Sequence, residues 1–179
     1  MITATKTTWK VDTAHSQISF KVKHLVISTV TGSFDKFEGM VEATGDDFTD
    51  ATVTFSADVA SINTNAPERD AHLKSPDFFD AQNHPKLTFR STEIKKNGQD
   101  KYLLTGDITI RGITKRISLD AEFGGIMKDP WGNTKAGFEL TGKLLRKDFG
   151  LNWNAVTEAG GIVVSEEVKI NCNVEINRL

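Results

Sequence analysis

Apolar and polar residues alternate with period two along most of this chain, the pattern of strands that bury one face. Residues 17–24 set Ile18, Phe20, Val22 and His24 on one side and Gln17, Ser19, Lys21 and Lys23 on the other. The same parity runs through Ala51, Val53, Phe55, Ala57 and Val59, and through Tyr102, Leu104, Gly106, Ile108 and Ile110. It recurs as Ile117, Leu119, Ala121 and Phe123, as Ala136, Phe138, Leu140 and Leu144, and as Val168, Ile170, Cys172, Val174 and Ile176. In the set Val30, Phe34, Phe37 and Val41 the parity changes between the two Phe residues, which predicts a bulge or bend there.

Turn chemistry separates these segments. Asn97-Gly98 is a hairpin signal, and Pro130 with Gly132-Asn133 predicts another turn. Gly124-Gly125 and Gly160-Gly161 are expected to mark further bends. No Pro-, Ser- or Gly-rich linker and no internal repeat divides the 179 residues, so residues 1–179 read as one domain with its own core. Short one-faced strands predict an all-β fold, a closed or nearly closed antiparallel barrel of about eight strands. Residues 66–79 are the exception. Ala66, Glu68, Ala71, Leu73 and Lys74 form helices well, Pro67 suits a first turn, and Ser61 or Asn63 is the expected cap. Pro76 interrupts, and Asp77–Asp80 is expected to make a second short turn. The segment is therefore placed as a short helix across one end of the sheet.

The apolar face mixes sizes. Phe20, Phe34, Phe55, Phe123 and Phe138 are large, whereas Ala51, Ala57, Gly106, Ala121, Ala136 and Gly142 are small. Small inward residues either leave volume for a ligand or receive neighbouring rings in a dry core, and the pattern by itself leans toward a filled interior.

Charge narrows the partners. A formal net charge of -2, a pI near 6.1 and interspersed signs make no electrostatic case for nucleic acid or an anionic membrane surface. Residues 1–12 lack the basic and apolar regions of a signal peptide, and no apolar run approaches the ~20 residues of a membrane span. The expected compartment is the cytoplasm, or the periplasm if the sequence is a mature form. The single cysteine, Cys172, reads as a small buried hydrophobe. His15, His24, His72 and His84 fall in different segments without metal-ligand spacing, so no metal is expected. There is no nucleophile elbow, phosphate loop or dinucleotide fingerprint. Neighbouring His15 and Ser16 point opposite ways on a strand and make no triad. No catalytic residue and no cofactor is assigned.

Six stretches in order resemble a known family: "WKVDTAHSQISFKVKH", "GSFDKFEG", "RDAHLKSPDFFD", "HPKLTFRST", "LTGDITIRGITKRISL" and "RKDFGLNW". From Trp9 to the last strand the chain resembles the YceI-like polyisoprenoid-binding family. The resemblance implies a lipocalin-like barrel of eight strands with a helix near one end. It implies a hydrophobic, isoprenoid-like ligand, such as a polyprenyl phosphate or a quinone tail, and a homodimer, as in several members. The wall of such a tunnel would draw Ile18, Phe20, Val22, His24, Phe34, Phe37, Val53 and Phe55 from the first half of the chain. Leu104, Ile108, Phe123, Phe138 and Leu140 would complete it. At the mouth, Arg69 and His72 share a helical face and could meet a headgroup, with Leu73, Phe78 and Phe79 as plugs. The competing expectation is that Arg69 pairs with Asp70 or a rim carboxylate. Lys115 and Arg116 read as a solvated hairpin, and Arg146 and Asp148 before Phe149-Gly150 as a structural corner.

Two other functions remain open from sequence. An enzyme acting on a hydrophobic substrate would use His24, Arg69, Asp70 and His72, and at least two of these would have to converge in a cavity. A stress-response interaction protein would have a filled barrel and no cavity.

Overall fold

A strand with one apolar face must either stack that face on another layer or close its sheet upon itself. Here the sheet closes. The structure, a computed structural model, describes residues 5–154 and 163–179. Its strands are β1 (Lys6–Val11), β2 (Gln17–His24), β3 (Ser28–Phe34), β4 (Phe37–Thr44), β5 (Asp47–Asp58) and β6 (Ile62–Asn63). After the helix α1 (Pro67–Lys74) come β7 (Lys86–Lys96), β8 (Lys101–Ile110), β9 (Ile113–Lys128), β10 (Thr134–Leu145) and β11 (Val164–Arg178). Neighbours run β1-β4-β5-β7-β8-β9-β10-β11, all antiparallel, and β11 pairs back onto β1 to complete an eight-stranded barrel.

The extra segments are bends in these courses. β11 is 15 residues long and pairs first with β2 and then with β1. β2 therefore continues the line of β1 after a 3-10 turn at Thr13–His15, which Asp12 caps by accepting from the Ala14 N–H at 3.0 Å. β3 and β4 form one course bent at Asp35-Lys36, where the parity change between Phe34 and Phe37 foretold a bend. The Asp58 N–H donates to the Lys36 carbonyl (2.8 Å) and the Asp35 N–H to the Ser61 carbonyl (3.2 Å), fixing the corner.

Two local expectations are made specific and one needs correction. The bend expected at Gly124-Gly125 is a kink inside β9: pairing with β10 slips between Gly137 and Phe138, and Gly125 sits at φ 112°. The helix spans only eight residues, 67–74, and ends at Ser75 because Pro76 cannot continue it. Residues 75–80 then turn back, as expected for Asp77–Asp80, with the Phe79 N–H donating to the Leu73 carbonyl at 3.0 Å. The N-cap is Ala66 without a side-chain bond, not Ser61 or Asn63. The bends expected at Gly160-Gly161 lie outside the described residues.

Buried side chains form two groups. Trp9, Ala43, Phe48, Ala136 and Ile176, each at most 1% exposed, close the end where β1 meets β11. At the helix end Phe34, Val59, Phe78, Leu87, Phe149 and Leu151 gather under α1 and the 75–80 turns.

Candidate functional site

Between these groups the barrel is hollow, which overturns the leaning toward a filled interior. A cavity of about 270 Å³ runs from Leu73, Phe79 and Val164 at the helix end to Phe48 and Val174 at the other. An engineered cavity of ~150 Å³ already holds benzene, so this one is roomy enough for part of a lipid chain. The wall it presents is apolar throughout.

Glycines explain how an interior with so many Phe rings stays open. A β-carbon built on Gly32 would stand 2.9 Å from both Cε atoms of Phe20, the residue across from it on β2. One on Gly106 would stand 2.5 Å from Phe89 Cζ, and one on Gly142 2.5 Å from Leu119 Cδ2. Each missing side chain lets a large neighbour lie flat against the wall instead of reaching into the lumen. The small residues thus receive rings and preserve volume at once.

Of the expected wall, Ile18, Phe20, Val22, Phe34, Val53, Phe55, Leu73, Phe78, Phe79, Leu104, Ile108, Phe138 and Leu140 line the cavity. Five do not. His24 stands at the end of β2, paired with Val164 and Ser28 and beyond the last lining residue of its strand. Phe37 packs behind the wall on Phe55 (centroids 6.1 Å), and Phe123 behind it on Phe48 (5.5 Å). Arg69 is exposed and holds the chain before the helix, donating from Nε to Thr64 Oγ1 (2.8 Å) and from Nη2 to the Thr64 carbonyl (2.6 Å). Its expected pairing with Asp70 is replaced by a shared partner, since Asp70 Oδ1 accepts from the Thr64 N–H at 2.9 Å. His72 lies 2.9 Å from Asp77 Oδ2 and meets Phe78 and Trp153 edge-on, at 5.1 and 4.8 Å between centroids. It braces the closure of the helix end. His24, Arg69, Asp70 and His72 therefore do not converge in the cavity, and the condition set for the enzyme reading is not met.

The sequence reading missed Leu87, Phe89 and Ile94 of β7, because pairing slips between Ser91 and Glu93 and breaks the alternation that would have revealed them. It also missed the role of Arg146. The expected corner is present, a 3-10 turn over Arg146–Phe149 ended by Gly150 at φ 73°. Arg146 within it is only 3% exposed and lines the cavity. Its Nε donates to the Ser165 carbonyl (2.9 Å), Nη1 to those of Leu151 (2.6 Å) and Trp153 (2.8 Å), and Nη2 to that of Val164 (3.1 Å). One side chain thus ties residues 151–153 to 164–165. Burial pulls the guanidinium below its ordinary pKa, with Glu166 opposing. Carbonyl dipoles take the place of a counter-ion, and the carbon stem completes the apolar wall. Cys172 also lines the cavity, and burial pushes its thiol up to about 11.

One cluster of metal-type ligands exists among the described residues: Asp12, His15 and Glu175, whose ligand atoms lie within 4.8 Å of one another. The Lys135 ammonium already sits there, 2.7 Å from Asp12 Oδ2 and 3.3 Å from Glu175 Oε1. Its hydrogen bond holds the Asp12 carboxyl well below the usual carboxylate range, and His15 adds to the effect. This is an ion pair at the seam between β1 and β11. Among the described residues no helix is long and apolar enough to cross a membrane.

Known proteins share this architecture. A UPF0312 protein of Staphylococcus aureus (strain N315) is 38% identical over 172 residues, 96% of this chain and 98% of its own length. The Campylobacter jejuni YCEI protein is 36% identical with a TM-score of 0.73, over 93% of this chain and 95% of the other. A polyisoprenoid binding domain from Saccharophagus degradans, implicated in plant cell wall breakdown, superposes with a TM-score of 0.70. At 13% identity over 94% of this chain and 97% of that one, it speaks for the fold alone. Residues 9–176 match the YceI-like domain from the first buried tryptophan to the last buried isoleucine, and the chain belongs to that family.

Proposed function

We propose that this protein binds one long apolar lipid chain, of the isoprenoid class, and stores or carries it without chemical change. The observation that supports this most is the cavity: about 270 Å³ of lumen with an apolar wall along its whole length. Each methylene moved from water into such a wall contributes ~0.8 kcal/mol, less the cost of ordering the chain. A polyprenyl phosphate or a quinone tail meets that description, and the Saccharophagus degradans domain of like fold is named for polyisoprenoid binding. Among the described residues no titratable cluster faces the lumen to act on such a ligand. The cargo enters tail first from the helix end, because Trp9, Phe48 and Ile176 seal the other.

Organic extraction of the purified chain followed by mass spectrometry tests this. The expected result is one equivalent of a lipid with a long apolar chain. Recovery of none, together with no binding of added polyprenyl phosphate or long-tailed quinone, would overturn it.

A further inference from the structure

The tip joining β2 to β3 contradicts its own turn chemistry. The Ile27 N–H donates to the His24 carbonyl (3.2 Å) around Leu25 and Val26, both left-handed at φ 51° and 64°. Turns of this kind favour Asn-Gly, because side chains crowd there and a β-branched one crowds most. Leu25, Val26 and Ile27 are also 38%, 68% and 84% exposed. Three consecutive apolar side chains stand in solvent on a strained turn, where neither folding nor solubility calls for them. The tip is tied to the cavity wall: the Leu25 N–H donates to the Val163 carbonyl (2.8 Å), and His24 pairs with the lining residue Val164.

The flank behind the tip is basic. Strand register aligns Lys143, Lys169 and Lys21 across β10, β11 and β2, all exposed on the outer face. Like charges directly opposite on neighbouring strands repel. Among the described residues none of the three has a carboxylate within ion-pair distance. Lys23, nearer the tip on the same face, reaches only Thr29 Oγ1 at 3.0 Å. Of the carboxylates on β11 near the row, Glu166 is held by Lys147, which leaves Glu167. This flank carries excess positive charge on a chain whose net charge is -2. At ~3.3 Å per residue, Lys23 lies ~7 Å and Lys21 ~13 Å behind Leu25. Headgroups stand at that depth when an apolar element enters the outer ~5–10 Å of a bilayer.

We infer that this tip docks the protein on an anionic lipid bilayer. Leu25, Val26 and Ile27 enter the acyl boundary, and Lys21, Lys23, Lys143 and Lys169 meet the headgroups. The partner goes beyond the proposed cargo and does not depend on it. A second copy of the chain fits the surface poorly, because a symmetric contact would bring two lysine rows together.

Sedimentation of the full chain with vesicles tests the inference. Binding is expected to vesicles of equal parts phosphatidylglycerol and phosphatidylcholine, to be absent with phosphatidylcholine alone, and to weaken with salt. Each Lys→Gln change at 21, 143 or 169 should weaken it about fivefold. The double variant Leu25→Asn/Val26→Gly should weaken it at least tenfold and raise the melting temperature, since it relieves the turn. That rise separates docking from misfolding. Unchanged partition of the tip variant, or equal binding to neutral vesicles, would overturn the inference. So would wild-type dimerisation abolished in the tip variant without vesicle binding, which would assign the tip to a second copy. Lipid extraction from the same preparations reads the cargo separately, so either proposal can fail alone.

Discussion

Replacing Gly32 by alanine probes how the barrel stays hollow. Gly32 is not at positive φ, so alanine meets no backbone penalty there and reduces the freedom of the unfolded chain by ~0.4–1 kcal/mol. The obstacle is Phe20: the new methyl would stand 2.9 Å from both Cε atoms of its ring, against an optimal carbon separation of ~3.5–4.0 Å. Its Cζ lies closer still, so the ring must retreat by more than ~1 Å, and because Phe20 lines the cavity it retreats into the lumen. It cannot slide sideways freely, since it rests on Phe34 (5.7 Å between centroids), which meets Phe79 edge-on at 6.0 Å. Overpacking of this kind costs ~1–3 kcal/mol, leaving a net loss of about 1–2 kcal/mol. For a chain of this size that lowers the melting temperature by roughly 2–8 °C. A displaced ring also removes contact worth at least one methylene, so a long apolar ligand should bind about fourfold more weakly or worse. Scanning calorimetry and titration with a polyprenyl phosphate read the two effects. Phe20→Leu removes the clashing ring atoms, so Gly32→Ala should cost about 1 kcal/mol less in that background. Equal cost with and without the Phe20 ring would refute the argument that the glycine exists to seat it.

Asp12, held well below the usual carboxylate range chiefly by Lys135, contributes stability that is fully present above its unfolded pKa of ~3.9 and is lost progressively below it, disappearing only as pH falls through the lower folded value. Asp12→Asn should therefore lower stability by about 1–3 kcal/mol at pH 7 and by progressively less below pH ~4, with much of the cost still present at pH ~3 because the folded-state carboxylate is still ionised there, as urea titrations across this range would report. A cost that does not shrink between pH ~5 and pH ~2 would be inconsistent with the ion pair. Arg146→Lys keeps the charge but not the planar fork that spans four carbonyls, and should cost ~2–4 kcal/mol in denaturant midpoint analysis. A loss under 1 kcal/mol would mean that the clamp matters little. Cys172, with its thiol near 11, should resist iodoacetamide at pH 8 in the native protein and react at once in urea. Rapid native labelling would show that the wall opens near it.

The fold was legible because alternation is a local signal and barrel closure follows from having one apolar face. Strands such as β8, where Tyr102, Leu104, Gly106, Ile108 and Ile110 are all buried, follow it without interruption. Where a register slip intervenes the signal fails, as at Ser91 in β7, so Leu87, Phe89 and Ile94 went unassigned. Whether the lumen was full or empty was not legible. That depends on which ring lies over which glycine across a strand pair, as Phe20 does over Gly32, and such pairing is set by register. The polar cluster at 69–72 misled for a related reason. Composition shows charges near a mouth but not that Arg69 and Asp70 both turn back to Thr64. Arg146 was the opposite case, an arginine whose partners are backbone carbonyls that no side-chain pattern announces.

On the proposed reading, the apolar wall also limits how the protein would choose among lipids. A lumen that exposes no polar surface cannot distinguish an isoprenoid from a fatty acyl chain by hydrogen bonding, and one methylene more or less changes binding only several-fold. Discrimination must come from depth and from the two ends. On that reading, depth would be set by Trp9, Phe48 and Ile176, the buried residues at the end where β1 meets β11. The other end is framed by α1, Phe78, His72 and Trp153, and by the segment that Arg146 fastens to the start of β11. Because the guanidinium is occupied by four carbonyls, it sets the shape of that end and leaves the charge of a headgroup unanswered from within. A ligand matched to this protein therefore buries its chain up to the Trp9 layer and leaves its polar group outside the wall. Substitutions that shorten the lumen from the Phe48 side should shift the preferred chain length without changing the preferred headgroup.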